Sequence, residues 1–414
     1  MTKLKRLAWL AAASFALGSV GIDASGAGAQ AKTIKIGFLY PVTGVFAAPG
    51  KYMQEGLELY LKEHGGMLGG LKAEVIVADD QGNPSVGLTQ LRKLVEQDHV
   101  DVIFGPLSAA VGSAIVPYID EHKIAAVYPI VSSDDLTQRT PSPYIVRTEW
   151  TSSQPTHVLG YYAYKTLNYR KVATIAYDFN FGWESIGGFV DTFQRLGGKI
   201  TKQVWTPLVT SDYSPYLSAL PRDVDAVMCS FSGAAAVNFT KQYKAFGLKA
   251  PLLCQGNTSD ESTLQASPDA VGMITALQYS ASLKTPANAR FVGAYIRAYG
   301  HEPSYYAEGT YVGAEYLDHG IFITHGNTSD ALAFVRAMRG LRVTDAPRGP
   351  VHFDDRGNPV QAIYIRRVEL HNGGLQNVVI TSFQNVSQFW TYDPIEYLRQ
   401  PPYDRTHPAC NACG

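Results

Sequence analysis

Hydrophobic and polar positions along the chain switch repeatedly between two spacings. Residues 33–40, Thr-Ile-Lys-Ile-Gly-Phe-Leu-Tyr, form an almost continuous β-type run that stops at Pro41-Val42-Thr43-Gly44. Residues 51–64 then carry apolar positions three and four apart, the helical spacing. A buried strand feeding a turn and then a helix is how a doubly wound α/β unit begins. Further strand-like runs follow at 73–79, 100–105, 124–129 and 144–147, with amphipathic stretches at 86–97 and 111–122. The pattern then restarts. Strands are predicted at 171–177, 200–207, 225–231, 251–254 and 273–279, and helices at 183–196, 213–220 and 233–246. Gly197-Gly198 ends the first of these helices, where a backbone with positive φ is needed.

Beyond Tyr279 the spacing predicts helices at 286–299, 306–325 and 329–341, a turn at Asp354-Asp355-Arg356-Gly357-Asn358-Pro359, and strands at 361–370 and 376–380. One economical arrangement returns the three helices to the first unit and the last strands to the second. Lobe 1 is then 32–149 plus 282–347, lobe 2 is 150–281 plus 348–400, and 401–414 is a tail. The chain crosses between lobes near 148–152, 280–284 and 346–350, and such crossings make a hinge.

The start of the chain changes this picture only by adding a leader. Lys3, Lys5 and Arg6 precede an apolar stretch at 7–20, and Ala27-Gly28-Ala29 and Ala29-Gln30-Ala31 each offer a cleavage site. Residues 1–31 therefore read as a removed signal peptide, without a cysteine for lipid attachment. The mature chain is expected outside the cytoplasm, in the periplasm, and not embedded in a membrane. A net charge of −1 with 17% charged residues gives no basic field for nucleic acid. Of the four cysteines, Cys229 and Cys254 lie in apolar strand-like runs and can bridge if those strands are neighbours. Cys410 and Cys413, with His407 just before them, read as a tail disulfide or inert thiols rather than a metal or redox site.

Seven motifs in register resemble the solute-binding proteins of branched-chain amino acid ABC importers, of the type I periplasmic binding fold. They are IGFLYPVTG at 36–44, DDQGNP at 79–84, FGPLSAAVGS at 104–113, YPIVSSDDLT at 128–137, YIVRTEW at 144–150, FSGAAA at 231–236 and FDDRGNP at 353–359. The resemblance implies two lobes closing on a small-molecule ligand, a membrane permease as partner, a monomer, and no cofactor or metal. It also implies that the ligand carboxylate meets Ser108 and Ala109 in one loop and Ile130 (through its backbone) and Ser132 in the next. Both loops read as strand-to-helix turns, whose free N–H groups suit an anion. Ser108, Ser132 and Ser133 are equally suited to capping helices.

Two departures set this chain apart from amino-acid-binding relatives. Ala109 stands where they carry a serine hydroxyl, and Gly256 matches the position of the carboxylate that holds the ligand's ammonium. A buried ammonium without a counter-charge is costly, so a ligand lacking that group is expected, such as an aromatic carboxylate. Trp150, Phe181, Tyr279 and the pair Tyr305 and Tyr306 are the rings placed near the cleft; each also has an ordinary packing role. A non-aromatic acid, an amide, an amino acid or a sensory role are the alternatives. The chain carries no G-x-S-x-G, HExxH or P-loop motif, and binding rather than catalysis is the reading.

Overall fold

The structure, a computed structural model, describes residues 33–413; the leader read from the sequence lies outside them. The first half runs β1 (Thr33–Tyr40), α1 (Ala47–Glu63), β2 (Met67–Leu68), β3 (Leu71–Asp79), α2 (Pro84–Glu96), β4 (Val102–Phe104), α3 (Ala109–His122), β5 (Ala126–Tyr128) and β6 (Ile145–Arg147). Its strands form one sheet in the order β2-β3-β1-β4-β5-β6, parallel apart from the short β2. From β1 the chain winds outward in both directions, so a crevice opens where β1 and β4 end.

The second half repeats the plan with α4 (Gln154–Lys165), β7 (Lys171–Tyr177), α5 (Asn180–Arg195), β8 (Lys199–Thr206), α6 (Ser214–Ser218), β9 (Ala226–Ser230), α7 (Gly233–Ala245), β10 (Leu252–Gln255), α8 (Glu261–Leu264) and β11 (Ile274–Leu277). Here the parallel order is β8-β7-β9-β10-β11. Next, α9 (Pro286–Tyr299), α10 (Tyr305–Ile323) and α11 (Ala331–Arg339) return to the first half, with α10 against α1 and β5 and α11 against β6. Then β12 (His352–Phe353), β13 (Pro359–His371) and β14 (Gly374–Val386) join the second sheet, β13 running antiparallel to β11. The final helix is α12 (Pro394–Arg399).

Three of these helices, α4, α8 and α12, are absent from the sequence reading. The interior of α4 holds Gln154, Thr156 and His157, all fully buried. Gln154 Nε2 donates to the carbonyls of Pro359 and Val386, and His157 Nδ1 pairs with Thr192 Oγ1 at 2.9 Å. Distant partners thus satisfy polar groups that would otherwise mark a surface.

The three connections between halves meet at one buried carboxylate. Glu149, from the first connection, pairs with Arg348 from the third and accepts from Gln278 Nε2 of the second. Arg348 Nη1 also lies 2.9 Å from Glu308 Oε2, and its Nη2 donates to Thr148 O at 2.6 Å. The side chains of Arg348, Glu149 and Glu308 are fully buried. Burial pushes the Glu308 carboxyl well above the usual range, and its bond from Arg348 acts against that shift.

Cys229 and Cys254 are register partners on β9 and β10 and form a disulfide. Closing a loop of 25 residues stabilises by roughly 3–4 kcal/mol in the chain-entropy account. Cys410 and Cys413 form the second disulfide. The tail that carries it lies along α5 and the edge strand β8: Tyr403 donates to Asp191, Gln194 to Ala409 O, and Ile200 N–H to Asn411 Oδ1.

Candidate functional site

The loop leaving β4 is pressed against β1. Gly105 has φ near +109°, and a Cβ there would stand 1.9 Å from Leu39 O, so only glycine fits. Ser108 is the N-cap of α3, in extended conformation, and its side chain makes no capping bond. The first intrahelical bond runs from Gly112 N–H to Ser108 O. The N–H groups of Ala109, Ala110 and Val111 therefore precede the ladder, and the dipole of a 14-residue helix stands behind them.

The next loop differs from its expected form. After β5 the chain makes only a single 3₁₀ turn, Asp134–Leu136, in place of a full helix. Ser133 is its N-cap without a side-chain cap bond, and Ser132 Oγ accepts from Ser152 Oγ at 2.9 Å. Asp134 turns inward to accept from Ser153 N–H at 3.1 Å, which fixes the loop on the chain that leads to α4.

Both loops open on one pocket of about 320 Å³, including its mouth, between the two halves. Of the expected residues, Ser108, Ala109, Ile130, Ser132, Phe181 and Tyr306 line it. Trp150, Gly256 and Tyr279 do not. Trp150 stands behind the wall, edge-on to Phe181 (6.4 Å) and Tyr305 (6.1 Å). Tyr279 packs on Phe291. Gly256 presents only backbone: its carbonyl accepts from Arg366 Nη2 at 2.8 Å, and a Cβ would meet Leu277 Cβ at 2.6 Å. A side chain at position 256 would therefore need its neighbours to shift.

Phe46, Leu107, Phe179, Ser232, Asn257 and Tyr305 complete the lining. Sequence reasoning named Tyr305 only beside Tyr306, as a ring near the cleft, and assigned none of the others to the ligand. Phe179 is two residues from Phe181, and Ser232 precedes α7 as its N-cap, so both carried a local signal. Phe46 carried none, being brought in by the fold alone. The bonds that close the rim are Asn180 Nδ2 to Ser113 Oγ and Ser133 Oγ, and Ser133 Oγ to Glu184 Oε1 at 3.2 Å.

No charged side chain lines this pocket. Acids lie behind it instead. Burial raises Asp260 to about 6 and Glu261 to about 8, partly offset by Arg366. Burial also raises Asp80 to about 7, Asp134 to about 6, and Glu184 well above the carboxylate range. Acids raised in the folded state hold protons that the unfolded chain releases, so stability is lost as pH rises through these values. His157, lowered to about 4 by burial, acts in the opposite direction and only below about pH 6.5. The melting temperature should therefore fall between pH 6 and pH 8. Glu261→Gln should flatten that fall, raising the value at pH 8 by roughly 2–4 °C; an unchanged slope would remove Glu261 from the account.

A family model described as periplasmic binding protein matches residues 33–374. The chain belongs to the periplasmic binding protein family. With two doubly wound sheets, this binding protein has the type I fold. It is 29% identical over 392 residues to a Leu/Ile/Val-binding protein homolog of Brucella melitensis, covering 92% of this chain and 97% of that one. A solute-binding protein of an ABC transporter from Rhodopseudomonas palustris, solved in complex with 3,4-dihydroxybenzoic acid, is 32% identical with a TM-score of 0.81, covering 86% of this chain and 98% of that one. Another from R. palustris, solved with benzoate, is 27% identical with a TM-score of 0.81, covering 86% and 97%.

Proposed function

We propose that this binding protein is the extracytoplasmic receptor of an ABC importer and that it captures a small aromatic carboxylate. The observation that carries this reading is a pocket with aromatic walls and no charged side chain, opening on the start of α3. The ligand carboxylate meets the N–H groups of Ala109, Ala110 and Val111, joined by Ser108, Ile130 and Ser132. Its ring lies among Phe46, Phe179, Phe181, Tyr305 and Tyr306, where offset and edge-on contacts favour a flat ligand. An amino acid would bring an ammonium to a site without a carboxylate. Relatives solved with benzoate and dihydroxybenzoate support this ligand class. The two sheet-centred halves act as lobes, and closure presents a surface to a membrane permease. The ligand drives closure by binding the closed state better than the open one. The protein works as a monomer in the periplasm, and it binds without turnover.

Thermal unfolding against a ligand panel tests this. Ligand at about a hundred times its Kd adds about 2.7 kcal/mol to stability. Benzoates should raise the melting temperature, while leucine, isoleucine and valine leave it unmoved. A shift with leucine and none with any benzoate would sink the reading.

A further inference from the structure

The rim contacts that seal the cleft bury a charge imbalance. Glu184 stands near the start of α5, in the second half, and is 6% exposed. Facing it from the first half is the loop after β5. There Ser133 Oγ donates to Glu184 Oε1 at 3.2 Å, and Asp134, 3% exposed, is the next residue. Arg147, at the end of β6, is buried within electrostatic reach of both carboxyls. Its guanidinium donates to Ser133 O, Thr137 Oγ1 and Asn358 Oδ1. Two buried carboxyl groups thus share one buried cation, which leaves the second without a counter-charge.

The other charges nearby are engaged elsewhere. Asp135 is a further acid, paired with Arg139 at 2.9 Å. Asp354, on the turn before β13, and Arg339, on α11, act on Arg147 in opposite senses. Arg339 donates to the carbonyls of Ser142 and Ile145, and the exposed Arg356 to Gln138 O at 2.7 Å. Burial, and then the charge of Asp134, holds Glu184 well above the carboxylate range, while burial raises Asp134 to about 6. Carboxyls crowded in one buried site do not both ionise, and they titrate as a unit. When the rim parts, α5 leaves the Ser133–Asp134 loop and water reaches Glu184, which returns toward the ordinary glutamate value of about 4.3.

We infer that closing the cleft takes up a proton, held between Glu184 and Asp134, so that capture tightens as the surroundings acidify. The inference rests on the lobe-closure reading above and holds whichever solute is bound. By linkage, closure is helped in full below the open-state value and loses that help as pH rises through the closed-state value. Across about pH 6 to 8, uptake of one proton weakens binding by up to about tenfold per pH unit.

Calorimetric titration of the mature chain at about pH 7 with benzoate, 3,4-dihydroxybenzoate and leucine, in buffers of different ionisation enthalpy, counts the protons directly. About one proton should be taken up per bound molecule, falling toward zero in Glu184→Gln, where a neutral amide replaces the protonated acid. Small-angle scattering of the ligand-free protein needs no bound molecule. Its radius of gyration should grow from about pH 6 to about pH 8 and stay at the smaller value in Glu184→Gln. Asp134→Asn, which leaves one carboxyl to one guanidinium, should act alike and serves where the first variant fails to fold. Binding without proton uptake overturns the inference, as does uptake undiminished in both variants. Where none of the three probes binds, scattering that is flat across this pH range overturns it. Compaction by a probe without proton uptake leaves lobe closure standing, whereas binding with neither compaction nor uptake removes closure as well.

Discussion

Arg348→Met is expected to lower the unfolding free energy by about 3–5 kcal/mol, the usual effect of stranding one member of a buried ion pair. Glu149 would be left without its cation at a site with no access to water, with Gln278 as its remaining side-chain donor. Methionine matches the volume of the arginine stem but supplies none of its bonds to Glu149, Glu308 and Thr148 O. The double variant Arg348→Met with Glu149→Gln should recover a substantial part of the loss, because the stranded charge is gone. Urea unfolding of the three proteins measures this. If the single variant loses less than about 1 kcal/mol, the figure for an exposed pair, then water reaches the junction and the buried-pair account is wrong. The same residues join all three connections, so the single variant should also broaden the distribution between open and closed forms, readable by small-angle scattering.

Ala109→Pro is expected to weaken binding of the ligand by roughly 10- to 100-fold with little loss of stability. Position 109 is the first residue of α3, where proline is favoured because its missing N–H has no intrahelical partner. Ser108, before it, already has φ −69° and ψ 130°, the extended conformation that a residue preceding proline needs. The substitution thus deletes one N–H at the helix start and keeps the helix. A hydrogen bond to a charged group contributes about 1.5–3 kcal/mol, which sets the expected loss. Titration with the best ligand of the panel, with melting temperature as control, gives the answer. Undiminished affinity in a folded Ala109→Pro protein would move the carboxylate away from α3.

Much of the architecture is readable from one chain because its parallel strands are buried on both faces. Residues 34–40 are apolar with few breaks since β1 lies between β3 and β4 under helices. By contrast, residues 154–160 of α4 are all buried, and polar residues among them bond inward, so neither helical spacing nor a polar face survives there in the sequence. Strand β14 runs on to Val386, well past its predicted end at 380, because antiparallel pairing with β13 continues through polar positions such as Thr381 and Ser382. At the site, the two loops after β4 and β5 that line the pocket were legible from glycine, proline and serine at strand ends. Ring positions were less so: Trp150 and Tyr279 have the same composition signal as Phe181 and Tyr306, and only packing separates a pocket wall from its backing. Asn257 stood in the very loop inspected for an acid. Its side chain meets two tyrosines some fifty residues away, a juxtaposition that no local pattern encodes.

The arrangement of cysteines has a consequence for how the chain matures. Four cysteines admit three complete pairings, and the one found here joins them strictly in order of appearance, Cys229 with Cys254 and Cys410 with Cys413. A chain delivered N-terminus first meets each partner before any competitor emerges. An oxidant alone then suffices to reach the native bonds, with no wrong pair to be shuffled back.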